Sequence, residues 1–315
     1  MPSFETELFQ PLIDLYLHLG GAVLLGWVLG RLLPKSVPTL IGQFLFWVGV
    51  PLSIITFLRG ADLSGAIWIA PVAAWMAILL GAALAWGWMK VQTPKTATNW
   101  SQPTQGSFLL ASMVGNTGYL GFPVSLTLVG EKYFGWAIFY DMLGTTIGAY
   151  GLGVLMAARF GGIAHSQRQL VGVIVKNPAL WSLGFGLGFR YVELPVFAEQ
   201  SLKGMAWSAI ALSLILIGMR LSQLKSGHYL QQASVSLGIK MLFVPLVLGM
   251  GLLALGITGS PQLVIVLQMA MPPAFATLVL AEVYDLDRNF SVTALAVGSM
   301  GLLLTLPIWL LLFRS

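Results

Sequence analysis

The chain has 315 residues, of which 57% are hydrophobic and 9% charged, with a mean hydropathy of +0.86. Ordinary soluble domains carry roughly 25% charged residues, so a soluble globule is excluded and most of the chain must meet lipid or other membrane helices. The absence of cysteine excludes disulfides, thiolate metal sites and cysteine nucleophiles; the net charge is +5, but the basic residues are scattered between apolar segments, which argues for membrane topology and against a nucleic-acid partner.

The first residues, MPSFETELFQPLIDLYLHLGG, carry acidic groups and no Lys or Arg, and no small-residue cleavage site follows, so the first apolar stretch is expected to stay as a membrane helix. Windows of about 20 apolar residues predict spans over 8–33, 39–58, 66–89, 106–129, 133–158, 170–190, 202–222, 237–257, 261–283 and 291–313. These runs are too long and too uniformly apolar for barrel strands. The predicted fold class is therefore an all-α polytopic membrane protein with ten transmembrane helices.

With ten spans both termini share a side. One set of loops then holds Arg31, Lys35, Lys90, Lys95, Arg159, Arg168, Lys176, Arg220, Lys225, Lys240 and Arg288, and the other only Arg59, Lys132, Arg190, Lys203 and Arg314. The richer set is expected in the cytoplasm, with both termini extracytoplasmic. A bacterial inner membrane is the expected location, because the central loop is short and no targeting segment is seen.

The chain reads as two related halves. LGWVLG at 25–30 recurs as LGFGLG at 183–188, and Pro38, Gln43 and Leu45 recur as Pro195, Gln200 and Leu202. Five spans per half would place the halves in opposite orientations, the inverted-repeat architecture of many secondary transporters. The expected division is a first five-helix repeat over 1–160, a cytoplasmic linker over 161–169 and a second repeat over 170–315, with a scaffold and a transport domain each built from both repeats.

Inverted repeats place broken helices at matching positions. The fourth span contains VGNTGYLGFPV at 114–124, and the ninth carries Pro272 and Pro273 just after Gln268. Proline removes a backbone donor and clashes with the preceding turn, so both spans are predicted to unwind. A single break is often a mere kink; two at corresponding places point to a binding site.

These residues resemble the auxin efflux carrier, or PIN-like, transporter family. The resemblance rests on Asn116-Thr117-Gly118-Tyr119-Leu120-Gly121-Phe122-Pro123, on Ala270-Met271-Pro272, on Leu280-Ala281-Glu282-Val283-Tyr284-Asp285 and on Thr305-Leu306-Pro307. It implies a fold similar to the bile-acid sodium symporters, in which broken helices 4 and 9 cross and substrate binds beside the crossing. It further implies that Asn116 contacts a substrate carboxylate, that Pro123 and Pro272 are the crossover prolines, and that the substrate is a small organic anion, auxin-like or a mono- or dicarboxylate. A homodimer is a family-based expectation. Two departures stand out: only about a dozen residues separate the halves, and Pro273 follows Pro272 directly while Thr277 holds the later position where the family carries its second proline.

The expected substrate-binding set is thus Asn116, Thr117, Gly118, Tyr119, Pro123, Gln268, Pro272 and Pro273. Exposed N–H groups and half-helix dipoles favour an anion there, and Asn116 adds donors without the desolvation cost of a buried cation. No Lys or Arg lies within the fourth or ninth span, so the site is expected to be neutral. Asp141 and Glu282 are the candidates for proton coupling, because charges deep in a span are costly and usually functional; the alternatives are a polar neighbour such as Tyr140 or Thr145 for Asp141 and an interfacial place for Glu282. Asp14 and His18 stand one turn apart, and the pairs Gly26/Gly30 and Gly184/Gly188 suit close helix packing.

No phosphate loop, metal-ligand constellation or nucleophile motif is found, so neither an enzyme nor a cofactor is expected. The leading expectation is a secondary transporter working by alternating access. Two alternatives stay open: a sodium-coupled organic-anion symporter of the same fold, and a channel or ligand sensor.

Overall fold

A computed structural model describes residue 17 and residues 20–92, 100–162, 178–222 and 229–313. Asp14, His18 and residues 163–169 of the predicted linker 161–169 lie outside the described residues. The described residues are helical, with a single isolated β-bridge.

In chain order the helices are α1 (Gly21–Leu32), α2 (Val37–Gly60), α3 (Ile69–Gln92), α4 (Gln102–Met113), α5 (117–128), α6 (Glu131–Gly161), α7 (Pro178–Phe189), α8 (Val196–Ser222), α9 (Leu230–Ala254), α10 (Gly259–Met269), α11 (Phe275–Val283) and α12 (Arg288–Phe313). Six of them, α2, α3, α6, α8, α9 and α12, are long and apolar enough to cross a membrane. The others are shorter, and four of these form two interrupted pairs, α4/α5 and α10/α11. The chain is therefore a multi-pass integral membrane protein.

Two predicted boundaries move. The seventh and eighth predicted spans begin at 202 and 237, whereas α8 starts at Val196 and α9 at Leu230. Hydropathy misses the first turns because they are polar: α9 opens with LQQASVSL, of which Ala233, Ser236 and Leu237 are buried. Of the polar residues in that stretch only Ser236 is buried, and its hydroxyl donates to the Ala233 carbonyl of the same helix at 2.8 Å.

The contacts divide the chain into two compact units. The first lies within Met1–Gly65, Gly118–Ile138 and Asn177–Leu224, the second within Ala66–Thr117, Phe139–Lys176 and Lys225–Ser315. In the first unit α1 crosses α8 with backbone almost touching backbone. A Cβ on Gly26 would fall 2.0 Å from the Ile215 carbonyl oxygen, and one on Gly218 would fall 1.9 Å from that of Val23. Small residues permit this approach, which supplies dispersion where no hydrophobic drive separates helix from lipid. Gly184 and Gly188 do not act this way, since a Cβ on either would meet no neighbouring element within 4 Å; Gly186 between them packs on Ile55 and Leu58. An aromatic cluster of Phe57, Phe122, Phe134 and Trp207, joined edge to face, fills the same unit.

The second unit has its own core around Phe108, Phe290 and Leu110, with Trp100 and Tyr229 edge-on to it. Asp287 ties its helix ends together. Its carboxylate accepts from the Thr104 hydroxyl at 2.8 Å and from the Phe290 N–H at 3.0 Å, while its own N–H donates to the Pro103 carbonyl. That places an acid at the start of both α4 and α12, where the helix dipole favours it.

Candidate functional site: a crossing of two broken helices

α4 begins with a strong signal, Ser101 accepting from the Thr104 N–H with Pro103 in the first turn, as helix starts prefer. It ends at Met113, and Val114 is already extended (φ −108, ψ 114). Helical structure resumes at Thr117 with a π-turn, Thr117–Gly121, that leads into Phe122–Leu128. The widened turn suits Pro123, which has no N–H to give. α10 ends at Met269, and α11 starts after Ala274, which is extended at ψ 151. Both breaks predicted from the Gly and Pro pattern are present.

The two interruptions meet. The Asn116 N–H donates to the Pro272 carbonyl at 2.7 Å, and the Ala274 N–H donates to the Val114 carbonyl at 3.0 Å. Gly115 and Pro273 face each other as an antiparallel bridge. These two bonds flank the Gly115/Pro273 pair, which is therefore the pair that exchanges no hydrogen bond and sits closest. Pro273 is tolerated because its missing N–H is not asked for, and glycine suits position 115 because the space there is tight. A Cβ on Gly115 would lie 3.1 Å from Lys240 Cε and Nζ and 3.3 Å from the Met271 carbonyl oxygen. Gly298 of α12 makes room from another side, since a Cβ there would come within 2.9 Å of Pro272 and 3.0 Å of Pro273.

Around the crossing the side chains are buried and polar. Asn116 is 4% exposed, and its Nδ2 is buried with no hydrogen-bond partner. Such a group costs about 1–3 kcal/mol if nothing ever satisfies it. The Thr117 hydroxyl donates to Asp141 Oδ1; Asp141 is buried and belongs to a π-turn of α6, Tyr140–Thr146, a form of helix found often at functional sites. Gln268 is fully buried in the last turn of α10. Asn116, Thr117, Gln268, Pro272, Pro273 and Asp141 thus all belong to the second unit.

The other candidates are elsewhere. Gly118, Tyr119 and Pro123 continue the chain into the first unit, where Gly118 and Tyr119 line a small recess with Ser53, Phe122 and Ser213. Glu282 lies near the far end of α11 and pairs with Arg288 at 2.8 Å, both side chains about half exposed or more. That is a surface ion pair, worth at most about 1 kcal/mol.

Sequence reasoning missed Lys240. It was counted among cytoplasmic loop residues, yet it lies well inside α9, is 2% exposed, and donates from Nζ to the Met269 carbonyl at 2.6 Å. No Lys or Arg lies in either broken helix, as the sequence has it, but this lysine reaches the crossing from α9. The signal was present: Ala233, Leu237, Lys240, Met241 and Val244 are buried at helical spacing, one continuous inward stripe.

The chain matches the family described as Membrane transport protein over residues 9–310. It belongs to this PIN-like, auxin efflux carrier-type family. An uncharacterized transporter of Methanothermobacter thermautotrophicus is 30% identical over 91% of this chain and 93% of its own length. The YfdV transporter of Escherichia coli, also uncharacterized, is 22% identical over 62% of this chain and 64% of its own. Auxin efflux carrier component 3a of rice is 26% identical over 44% of this chain, which spans only 24% of that longer protein. The protein is a membrane transporter of this family.

Proposed function

We propose that the protein is a secondary transporter that moves a small organic anion, an auxin-like acid or a mono- or dicarboxylate, by alternating access, with the anion held at the crossing of the broken helices. The observation that carries this reading is the buried, unpartnered Nδ2 of Asn116 at the point where two half-helices start. An amide donor with no acceptor, beside the positive ends of helices beginning at Thr117 and Phe275, suits a carboxylate.

The reading includes a ten-helix architecture of two inverted repeats. Gly115 and Pro273 pair across the crossing and are separated by 158 positions, the offset at which LGWVLG recurs as LGFGLG. Each compact unit also draws on both halves of the chain. Proton coupling through Asp141 is part of the proposal, supported by its burial and its bond to Thr117. A bacterial inner membrane with both termini outside is the proposed setting, and removing Lys240 from the loop residues leaves the charge bias in the same direction.

The experiment is substrate-evoked current from proteoliposomes on a solid-supported membrane, with acetate, succinate and indole-3-acetate as probes and Asn116→Ala beside wild type. A transient current for one of these anions that vanishes in the variant supports the proposal. A current that Asn116→Ala leaves unchanged sinks the placement of the site; steady current far above carrier rates would favour a channel. Repeating the measurement with Asp141→Asn, with and without a pH gradient, tests coupling.

A further inference from the structure

The buried Nζ of Lys240 stands at the end of α10, and that position has a physical meaning. The last carbonyls of a helix have no partner within the helix and together carry a negative partial charge of roughly half an electron. Within a membrane protein such an end cannot turn to bulk water. In carriers built with broken helices, half-helix C-terminal ends and unwound carbonyls are where a coupling sodium ion is coordinated. Here Met269, the last residue of α10, gives its carbonyl to Lys240 Nζ at 2.6 Å.

The surroundings leave room for the lysine side chain. The side chain leaves α9 from a π-turn, Gly238–Phe243. Its Cε and Nζ pass beside Gly115, whose missing side chain leaves the necessary space. Among the described residues no carboxylate pairs with it. The helix end therefore supplies Nζ with its acceptor, and Nζ caps the helix end.

We propose that Lys240 is a tethered cation: its ammonium holds the place at the α10 terminus that a soluble cation would otherwise occupy, and the transporter consequently needs no sodium ion at the crossing. The inference rests on the crossing being the transport site only for that last consequence; the cation site itself stands on the geometry of Lys240 and Met269. It makes Lys240 a positioning residue for the break and not a substrate contact.

The test reads stability, so it needs no knowledge of the transported anion and stands or falls separately from the anion screen. Thermal unfolding of the detergent-purified full chain is compared in sodium chloride, ethylammonium chloride and choline chloride at equal ionic strength. Wild type is expected to unfold at one temperature in all three. Lys240→Ala is expected to unfold several degrees lower in choline, and to recover part of that loss in ethylammonium or sodium, which are small enough to enter the vacated place. Lys240→Arg is expected to keep a cation there and lie closer to wild type than Lys240→Met. A specific stabilisation of wild type by sodium would overturn the proposal even if no variant folds. So would a Lys240→Met protein as stable as wild type, or a Lys240→Ala protein that no small cation restores.

Discussion

At the α4/α5 interruption the charged side chain is Asp141, reached through Thr117 at the start of the second helical piece. At the α10/α11 interruption it is Lys240, bound to Met269 at the end of the first piece. The signs follow the helix ends: an acid stands by a start, where N–H groups point out, and a base by a finish, where carbonyls do. The pairing of the backbones is symmetrical, one hydrogen bond on each side of Gly115 and Pro273. The charges are not. On the proposed reading the two breaks have different duties, proton exchange at Asp141 and a tethered cation at Lys240.

The comparison can be broken most severely at Gly115, where both breaks meet. Gly115→Val would drive its side chain into the Lys240 stem and the Met271 carbonyl. Overpacking of this kind costs about 1–3 kcal/mol or more, and the expected result is little monodisperse protein by size-exclusion chromatography. Next comes the acid: Thr117→Val removes the hydroxyl that Asp141 accepts from, at about 1–3 kcal/mol. Asp141→Asn should cost less, because its amide oxygen can still accept. Thermal unfolding that ranks these two the other way would show that Asp141 is held by its charge and not by Thr117.

A smaller effect is expected at the paired proline. Pro273→Ala adds an N–H at a buried position where the bridge does not use one, so the loss should be about 1 kcal/mol, the low end of the cost of an unpaired buried donor. A large loss would mean that the rigid ring, not the pairing, keeps the break open. The smallest effect belongs to Glu282→Gln, which removes an exposed pair with Arg288. It should change stability by under about 1 kcal/mol and leave the pH dependence of transport as in wild type; a displaced pH profile would return Glu282 to the coupling machinery.

The breaks were legible in the sequence because Gly, Pro and Asn in an apolar run have few other uses. Their meeting could be anticipated only from the family resemblance, since the Asn116 to Pro272 bond joins residues 156 positions apart. Lys240 was hidden for a physical reason. Windowed hydropathy measures compatibility with lipid, so the polar turn LQQASVS reads as loop and leaves Lys240 at the edge of the predicted span 237–257, although the buried residues keep helical spacing. The glycine stripes show the same limit. Gly26/Gly30 and Gly184/Gly188 look alike in sequence, yet only the first pair meets a helix backbone, because spacing defines a smooth face and not what lies against it.

The most direct measurement of the central claim is calorimetric binding of acetate, succinate and indole-3-acetate to purified wild-type protein and to Asn116→Asp. The substitution keeps the size of the side chain and its backbone bond to Pro272, but replaces the amide donor with a carboxylate. An anion site at the crossing predicts binding of one of these acids by wild type and none detectable by the variant. Equal affinity in both proteins would contradict it, and would place the anion away from Asn116.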